Sequence, residues 1–444
     1  MNTIINKIKN VIKGSKFENR AYVVGGFVRD HFMGLGSNDI DIVVTDLDIN
    51  GGIELALFLY NVLNLDHFPV IYPRFGTAQI LIDGTEVEIV GSRKEIYNFK
   101  NRKPVVIAGT LEDDANRRDF TINSIFYNIS QDLFVDPKNG IEDIRKKLIR
   151  TTSDSKTIFA EDPLRILRAI RFSSQLNFEI EDDTFNAIVE FVPWLKNISR
   201  ERIRDEFNKI LVTNNFSKGI NYLKVSGILS YLIPEISKFD SVQNETSQYH
   251  TKNLFNHTLE VMSEVPPTVE HRLAALFHDV GKVNTMTVDE KGVHFYNHQF
   301  YSMEIVKRFM TEYKYTNDQI EMVKNSVMMH MNFLDNTVTE KTIRKMVDKY
   351  GKEQVLFFID LAFADSKNIE HKKVLQSIVD FINTNQNTVE FLKRLPVNGD
   401  MIMKRYNLKP SKKVGELLNI EKEYLFEFPE ANEMEIYQIL DKNV

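Results

Sequence analysis

The chain has 444 residues, a length for about three domains, and its 43% hydrophobic and 27% charged residues are ordinary for a globular protein. It has no cysteine, which excludes disulfides, thiolate zinc sites, iron–sulfur clusters and a Cys nucleophile, so any metal must be held by His, Asp or Glu. A net charge of −6, from 56 basic and 62 acidic residues, argues against a generally basic coat. It does not exclude nucleic acid, because a partner feels only the local face.

No run of about 18 apolar residues is present, so no membrane helix is expected. Met1 to Lys16 mixes Ile with Asn and Lys and lacks a signal-peptide pattern. A cytoplasmic location is the expectation.

The first third has strand character. Ala21–Val24 is a short apolar run ending in Gly25-Gly26, and Ile40–Thr45 alternates with acids before turning β-branched. Ala78–Ile82 and Glu86–Val90 are strand-like runs on either side of Asp83-Gly84, a hairpin signal. Helical spacing fits Phe27–Met33 and Ile53–Asn61. After about residue 141 the apolar period becomes 3.6, as in Leu164, Leu167 and Ile170, and the rest reads as helical. Polar stretches at Ser237–Thr251 and Asn383–Asn387 are candidate seams. The fold class is α+β: a small mixed sheet with helices, then an all-α neck, body and tail. The expected domains are 1–140, 141–245, 246–370 and 371–444.

Asp39 and Asp41 sit at i and i+2, so in a strand their carboxylates share a face. Two carboxylates held so close favour a divalent cation, and magnesium takes carboxylate and phosphate oxygens together. Upstream, Gly25-Gly26 at a strand-to-helix turn lets phosphate approach backbone N–H groups, with Arg29-Asp30 following. Each feature alone occurs by chance; their order is what points to nucleotide chemistry. A third acid would complete a two-metal site. Glu86 and Glu88 share a face of a neighbouring strand, and Glu88 is the choice.

This segment resembles the head of class II nucleotidyltransferases, the bacterial CCA-adding enzymes and poly(A) polymerases of the DNA polymerase β-like superfamily. The resemblance continues through Arg117-Arg118-Asp119-Phe120-Thr121-Ile122-Asn123, Asp136-Pro137-Lys138-Asn139-Gly140, Glu161-Asp162-Pro163-Leu164-Arg165 to Arg168, and Ser199 to Glu206. It implies a polymerase β-like head in which Asp39, Asp41 and Glu88 are catalytic and Asp39 and Asp41 hold Mg2+. It also implies that Arg117, Arg118, Asp119 and Asn123 serve the triphosphate and ribose. Glu161, Asp162, Arg165 and Arg168 would select the base of CTP and then ATP, and the tRNA 3′ end would be the acceptor. Guanidinium forks suit phosphate oxygens, and a carboxylate beside a guanidinium suits a base edge. Asp162-Pro163 reads as a helix start, with Asp as cap and Pro at the first helical position. Asp136–Gly140 reads as a hinge, with Gly140 supplying backbone freedom. Ile198 and Ile203 flank Ser199 as a hydrophobic staple. Glu95–Asn116, with Arg102-Lys103-Pro104, would be a flexible loop. A poly(A) polymerase, or an enzyme adding only CC or only A, shares nearly all these motifs.

Six of the ten histidines fall between residues 257 and 330. His278-Asp279 follows an apolar helical run and precedes Gly281-Lys282. This resembles the HD phosphohydrolase superfamily, which gathers His, His-Asp and a distant Asp around a divalent metal. His257, His278, Asp279 and Asp365 match that set; His298 and His330 match the extra ligands of two-metal versions. Asn297-His298-Gln299 departs from the Gly-His-Glu of many related sequences. The donors suit Mg2+ or a transition metal, with phosphatase or phosphodiesterase activity implied. A degenerate domain kept as scaffold is the alternative, and a phosphohydrolase with a non-catalytic, RNA-holding head is another. Last, Met403–Lys413 has five basic residues and no acid. Lys409, Lys412 and Lys413 are candidate tRNA contacts, with a solvated turn as the alternative. No obligatory protein partner is implied.

Overall fold

The computed structural model describes residues 3–37, 39–98, 101–242, 253–290, 292–333, 338–384 and 395–444. The chain forms two compact units, Met1–Tyr231 and Leu232–Val444.

The first unit is built on a mixed sheet of seven strands. They are β1 (Ala21–Val24), β2 (Ile40–Val44), β3 (Val70–Tyr72), β4 (Thr77–Ile82), β5 (Thr85–Gly91), and two short strands given below. A separate antiparallel ribbon pairs β6 (Arg93–Asn98) with β7 (Asn101–Ala108). β8 (Phe126–Asn128) and β9 (Leu133–Val135) complete the sheet, in the order β3-β4-β5-β2-β1-β8-β9. β2 and β5 run parallel and every other neighbour is antiparallel. The Asp83-Gly84 turn joins β4 to β5, with both residues at positive φ (49° and 77°). That backbone matches the twist of a tight hairpin, and Asp and Gly tolerate it. Helices Gly26–Phe32 and Gly51–Leu63 lie where the helical spacing predicts them.

Two sequence expectations fail here. The segment expected as a flexible loop is the β6–β7 ribbon followed by the helix Leu111–Arg117. Val105-Val106-Ile107 is a β-branched run, and it outweighs the neighbouring Arg102-Lys103-Pro104. Nor is Gly140 a hinge. It opens the helix Gly140–Lys146, and a Cβ there would lie 2.2 Å from the Thr121 carbonyl oxygen. Close backbone approach demands glycine, and the Asp136 carboxylate accepts from Gly140 and Ile141 N–H (2.8 and 2.9 Å).

Beyond residue 141 helices dominate, with two minor exceptions to the all-helical expectation. Leu148–Ile149 pairs with Glu179–Ile180, and Thr287–Asp289 pairs with Gly292–His294. The helix after Pro163 starts at Arg165, two residues later than expected; Asp162 closes the preceding helix Ser155–Glu161. Its carboxylate still accepts from Leu164 N–H (3.1 Å), so the capping chemistry survives the shift. Ser199 caps Arg200–Leu211 as expected. The polar seam at 237–251 is a 3-10 helix, Pro234–Ser241, as far as 241; residues 243–251 lie outside the described residues. The helix Ile369–Thr384 runs into the second seam, of which 385–387 lie outside the described residues.

In the second unit, helices Leu254–Glu264, Val269–Phe277, His298–Glu312, Asn317–Met329 and Lys352–Asp365 carry the histidine-rich segments. The tail helices Gly399–Tyr406, Lys412–Glu427 and Glu433–Leu440 close on a core of their own, formed by Val397, Ile402, Val414, Leu417, Leu425, Ile436 and Leu440.

Candidate functional sites

Asp41 lies on β2, between two neighbours. Its register partners are Val24 at the end of β1 and Glu88 on β5. Asp39 immediately precedes β2. The parallel β2–β5 pairing is what sets Asp41 beside Glu88. Burial and the charges of Asp39 and Glu88 push the Asp41 carboxyl up to about 7, with Arg118 opposing them. Glu88 is raised by burial and by Asp39, with Arg93 opposing. Three carboxylates thus share one field, and this donor set suits a hard divalent cation that would neutralise it. Gly25, at φ 79° and ψ −142°, turns the chain over this group. A side chain at Gly25 would place its Cβ 3.1 Å from Asp41 Oδ2, so glycine both permits the turn and keeps the acid uncovered.

Around the acids lies a set of arginines, each held by hydrogen bonds from part of its guanidinium. Asp114, fully buried, was missed by the sequence reading. It accepts from Arg117 Nε (2.9 Å) and Arg118 Nε (2.9 Å), so one carboxylate orients both guanidiniums. The signal was available: Asp114 stands three and four residues before the pair, on one helical face. Asp119 takes Arg168 Nε and Nη2 (2.8 and 2.6 Å) and Asn123 Nδ2 (3.1 Å). Asn123 in turn accepts from Arg29 Nη1 (3.0 Å), and Arg29 Nε donates to Asp30 (2.8 Å). Arg29 is therefore a buried strut rather than an open cation. Phe172 packs beneath three guanidiniums, those of Arg29, Arg168 and Arg171, at 5.4, 5.4 and 4.1 Å.

The expected Asp162–Arg165 pair is not formed. Arg165 donates to Glu161 (3.0 Å) and to the Arg117 carbonyl (2.7 Å), while Asp162 accepts from Arg202 Nη2 (2.7 Å). The pairing with Arg202 joins residues 40 apart in sequence and left no local signal. In the second unit, Lys409 and Lys412 are exposed, and Lys413 Nζ donates to the Asn443 carbonyl (2.8 Å).

The histidine cluster is tighter. Among the described residues, the groups of three or more whose ligand atoms all fall within 4.8 Å are His257, His278 and Asp279, and Asp279, His298 and His330. All five are buried. Asp279 is common to both. Its Oδ2 faces His278 Nε2 (3.2 Å) and His257 Nε2 (3.5 Å); its Oδ1 faces His298 Nε2 (3.1 Å) and His330 Nε2 (4.0 Å). Asp365 Oδ1 joins the first pair, 3.0 Å from His257 Nε2 and 3.6 Å from His278 Nε2. Lys282 Nζ, a contact not expected from the sequence, reaches Asp279 Oδ2 at 2.6 Å.

The tautomers follow from the hydrogen bonds. The Nδ1 atoms of His278, His298 and His330 lie 2.8, 2.9 and 2.6 Å from the carbonyls of Ala275, Phe295 and Val327. A carbonyl only accepts, so Nδ1 carries a proton in each ring and Nε2 is the atom that faces the cluster, open as a ligand whenever the ring is neutral. This is how metal-ligating imidazoles are oriented. Burial opposes a charge on His278, but Asp279 and Asp365 overcome it and push the ring up to about 10. Burial and the His278 charge push His330 down to about 4. The carboxylates thus demand positive charge, and a divalent cation fits that demand with the same donors. Asn297 sits at φ 63°, a left-handed conformation that Asn, like Gly, tolerates.

Comparison with known proteins agrees with this division. Residues 21–150 match the poly A polymerase head domain, 177–240 the probable RNA and SrmB-binding site of polymerase A, and 250–366 the HD domain. The CCA-adding enzyme of Leuconostoc mesenteroides is 35% identical over 238 residues, which cover 52% of this chain and 56% of that protein. The tRNA nucleotidyltransferase cca2 of Schizosaccharomyces pombe is 25% identical over 97% of this chain and 96% of its own length. Several relatives are matched over only about half their length, as with the CCA-adding enzyme of Streptococcus mutans at 52%. Among solved structures, the Bacillus stearothermophilus CCA-adding enzyme in complex with CTP superposes with a TM-score of 0.70 at 20% identity, covering 100% of this chain and 98% of that one. At that identity the likeness speaks for the fold. The chain thus carries, in order, a poly A polymerase head domain, an RNA-binding segment of that polymerase type and an HD domain, and it is similar along its length to CCA-adding enzymes, whose fold it shares.

Proposed function

We propose that the protein is a tRNA nucleotidyltransferase that builds or repairs the 3′-terminal CCA of tRNA from CTP and ATP without a nucleic-acid template. The observation that carries this is the coupling of Asp39, Asp41 and Glu88 across two central strands, beneath the Gly25 turn. Asp39 and Asp41 would hold Mg2+, with Glu88 completing the acidic set. Magnesium bound there supplies charge neutralisation for the attacking 3′ oxygen and the leaving pyrophosphate.

The protein's own residues do the positioning. Gly25 and Gly26 leave room for phosphate, and Arg117 and Arg118, held by Asp114, present guanidinium edges to the triphosphate. Asp119 and Asn123 suit ribose hydroxyls, with Arg29 and Asp30 bracing them. Glu161, Asp162, Arg165 and Arg168 offer paired acceptors and donors to the base edge. Catalysis of this kind rests on orientation and electrostatics. Residues 1–140 would be the head, 141–245 the base-selecting neck and body, 246–370 the HD domain, and 371–444 a tail with Lys409, Lys412 and Lys413 towards tRNA. A cytoplasmic location belongs to the same proposal; among the described residues no helix is long and apolar enough to cross a membrane.

In the HD domain, His257, His278, Asp279 and Asp365 would hold one divalent ion and Asp279, His298 and His330 a second. The bound metal supplies Lewis acidity to a phosphate ester.

The test is incubation of the pure protein with tRNA lacking its last three nucleotides, CTP and ATP, followed by sequencing of the products. Addition of CCA is the expected result. Long tails from ATP alone would instead make the protein a poly(A) polymerase, and addition of only CC or only A a partial enzyme. The Asp39→Ala, Asp41→Ala protein should lose addition; full retention would remove the head from the chemistry.

A further inference from the structure

His371 lies on the helix Ile369–Thr384, outside the histidine cluster, and is 6% exposed. Its ring is held at both nitrogens. Nδ1 is 2.8 Å from Ser366 Oγ, and Nε2 bonds to the backbone carbonyl of Phe333. Since a carbonyl only accepts, Nε2 carries the proton and Nδ1 accepts the Ser366 hydroxyl. That tautomer is the reverse of the one adopted by His278, His298 and His330.

Both partners sit directly behind candidate metal ligands. Ser366 follows Asp365 at the end of the helix Lys352–Asp365. Phe333 closes the 3-10 turn His330–Phe333, which begins with His330. Asp365 serves the His257–His278 side of the cluster, and His330 the His298 side. One imidazole therefore ties the backbone behind one half of the cluster to the backbone behind the other.

We propose that His371 is a positioning residue that fixes the spacing between Asp365 and His330 and thereby sets the affinity of the HD cluster for divalent cations. The inference rests on the reading that this cluster holds such ions. The clamp needs a donor and an acceptor at opposite edges of one flat, buried group. Phenylalanine would fill the space but leave the Phe333 carbonyl and the Ser366 hydroxyl without the ring.

The experiment is calorimetric titration, with Mn2+ and separately Zn2+, of the chelator-stripped full chain carrying Asp39→Ala and Asp41→Ala, so that the acids of the head do not compete for the cation. The chain has no cysteine, so no thiolate competes for zinc. His371→Phe should bind roughly tenfold more weakly, or worse, in line with the usual effect of removing support behind metal ligands. With Asp39 and Asp41 intact, its nucleotide addition by the head should stay near that of the parent. His371→Gln, whose amide supplies both a donor and an acceptor, should recover most of the affinity. Ser366→Ala removes only the Nδ1 partner, should weaken binding to an intermediate degree, and carries the test if His371→Phe fails to fold. A purely structural His371 would lower the unfolding temperature and leave the affinity of the folded protein unchanged; that result overturns the inference. If the parent takes up no divalent cation, the metal reading of the cluster falls and takes this inference with it. If the parent binds and His371→Phe and Ser366→Ala bind equally well, only the positioning role falls.

Discussion

Glu421 carries a carboxyl into the apolar core of the tail, where its relative exposure is 0%. Oε1 accepts the Val397 N–H at 2.9 Å, and Oε2 has no hydrogen-bond partner among the described residues. No cation pairs with it; Tyr437, on the facing helix Glu433–Leu440, is the titratable group that feels its charge. Burial pushes the carboxyl up to about 7, although the Val397 N–H holds it down. The folded tail therefore keeps a proton that the unfolded chain loses near pH 4.5. Between those values the folded state binds more protons, so stability falls as pH rises and the full penalty is present above about 7. The difference corresponds to about 3 kcal/mol. Glu421→Gln is neutral throughout and keeps the acceptor for Val397. Allowing about 1 kcal/mol for its unpaired amide group, the variant tail should exceed the parent by about 2 kcal/mol at pH 8 and fall slightly below it at pH 5. Hydrogen exchange of the tail amides from pH 5 to 8, corrected for intrinsic rates, reads this directly. The single tryptophan, Trp194, lies in the first unit and reports whether that unit stays folded. Tail protection that does not change with pH in the parent, or an equally steep profile in the variant, would refute the argument.

Three further substitutions probe other parts of the fold. Asp114→Asn should loosen Arg117 and Arg118 together, raising KM for CTP and ATP about tenfold and costing about 3 kcal/mol of stability, since it breaks a buried ion pair. Steady-state kinetics and urea unfolding check both effects. Gly140→Ala should cost about 2 kcal/mol through its clash with the Thr121 carbonyl. Gly415→Ala, in the helix Lys412–Glu427 with nothing within 4 Å of the new Cβ, should stabilise by about 1 kcal/mol. Thermal unfolding of the pair compares them, and an equal sign would count against the reasoning.

What the sequence makes legible is local. The i, i+2 acids, the Asp83-Gly84 turn and the Ser199 cap each follow from one short window, and all are present. The parallel register of Asp41 with Glu88 is a long-range pairing; the choice of Glu88 over Glu86 rested on its place ahead of Arg93, on a strand that could pair opposite the aspartates, and the sheet makes that pairing. Gly140 shows the opposite case. Its glycine answers to Thr121, nineteen residues earlier and invisible in the local spacing. The β6–β7 ribbon was missed because Arg, Lys and Pro dominated the reading of a segment that also holds a β-branched run. In the second unit the ligand-type residues were recognisable, but the carbonyls that set their tautomers were not, because they depend on how each ring turns back on its own helix. Arg202 and Lys282 were in view as residues, yet their partners were not.

The three acids of the head sit on or beside the two central strands of a seven-stranded sheet, where the backbone has least freedom to relax. Strands there cannot move apart to relieve repulsion without breaking the ladder on both sides. The head is thus frustrated by construction: its most ordered region carries its least comfortable charges. A protein selected only for rigidity would have replaced one of them with an amide or an aliphatic side chain. Under the proposed metal-binding role, these charges are where the fold gives up some of its own stability for chemistry.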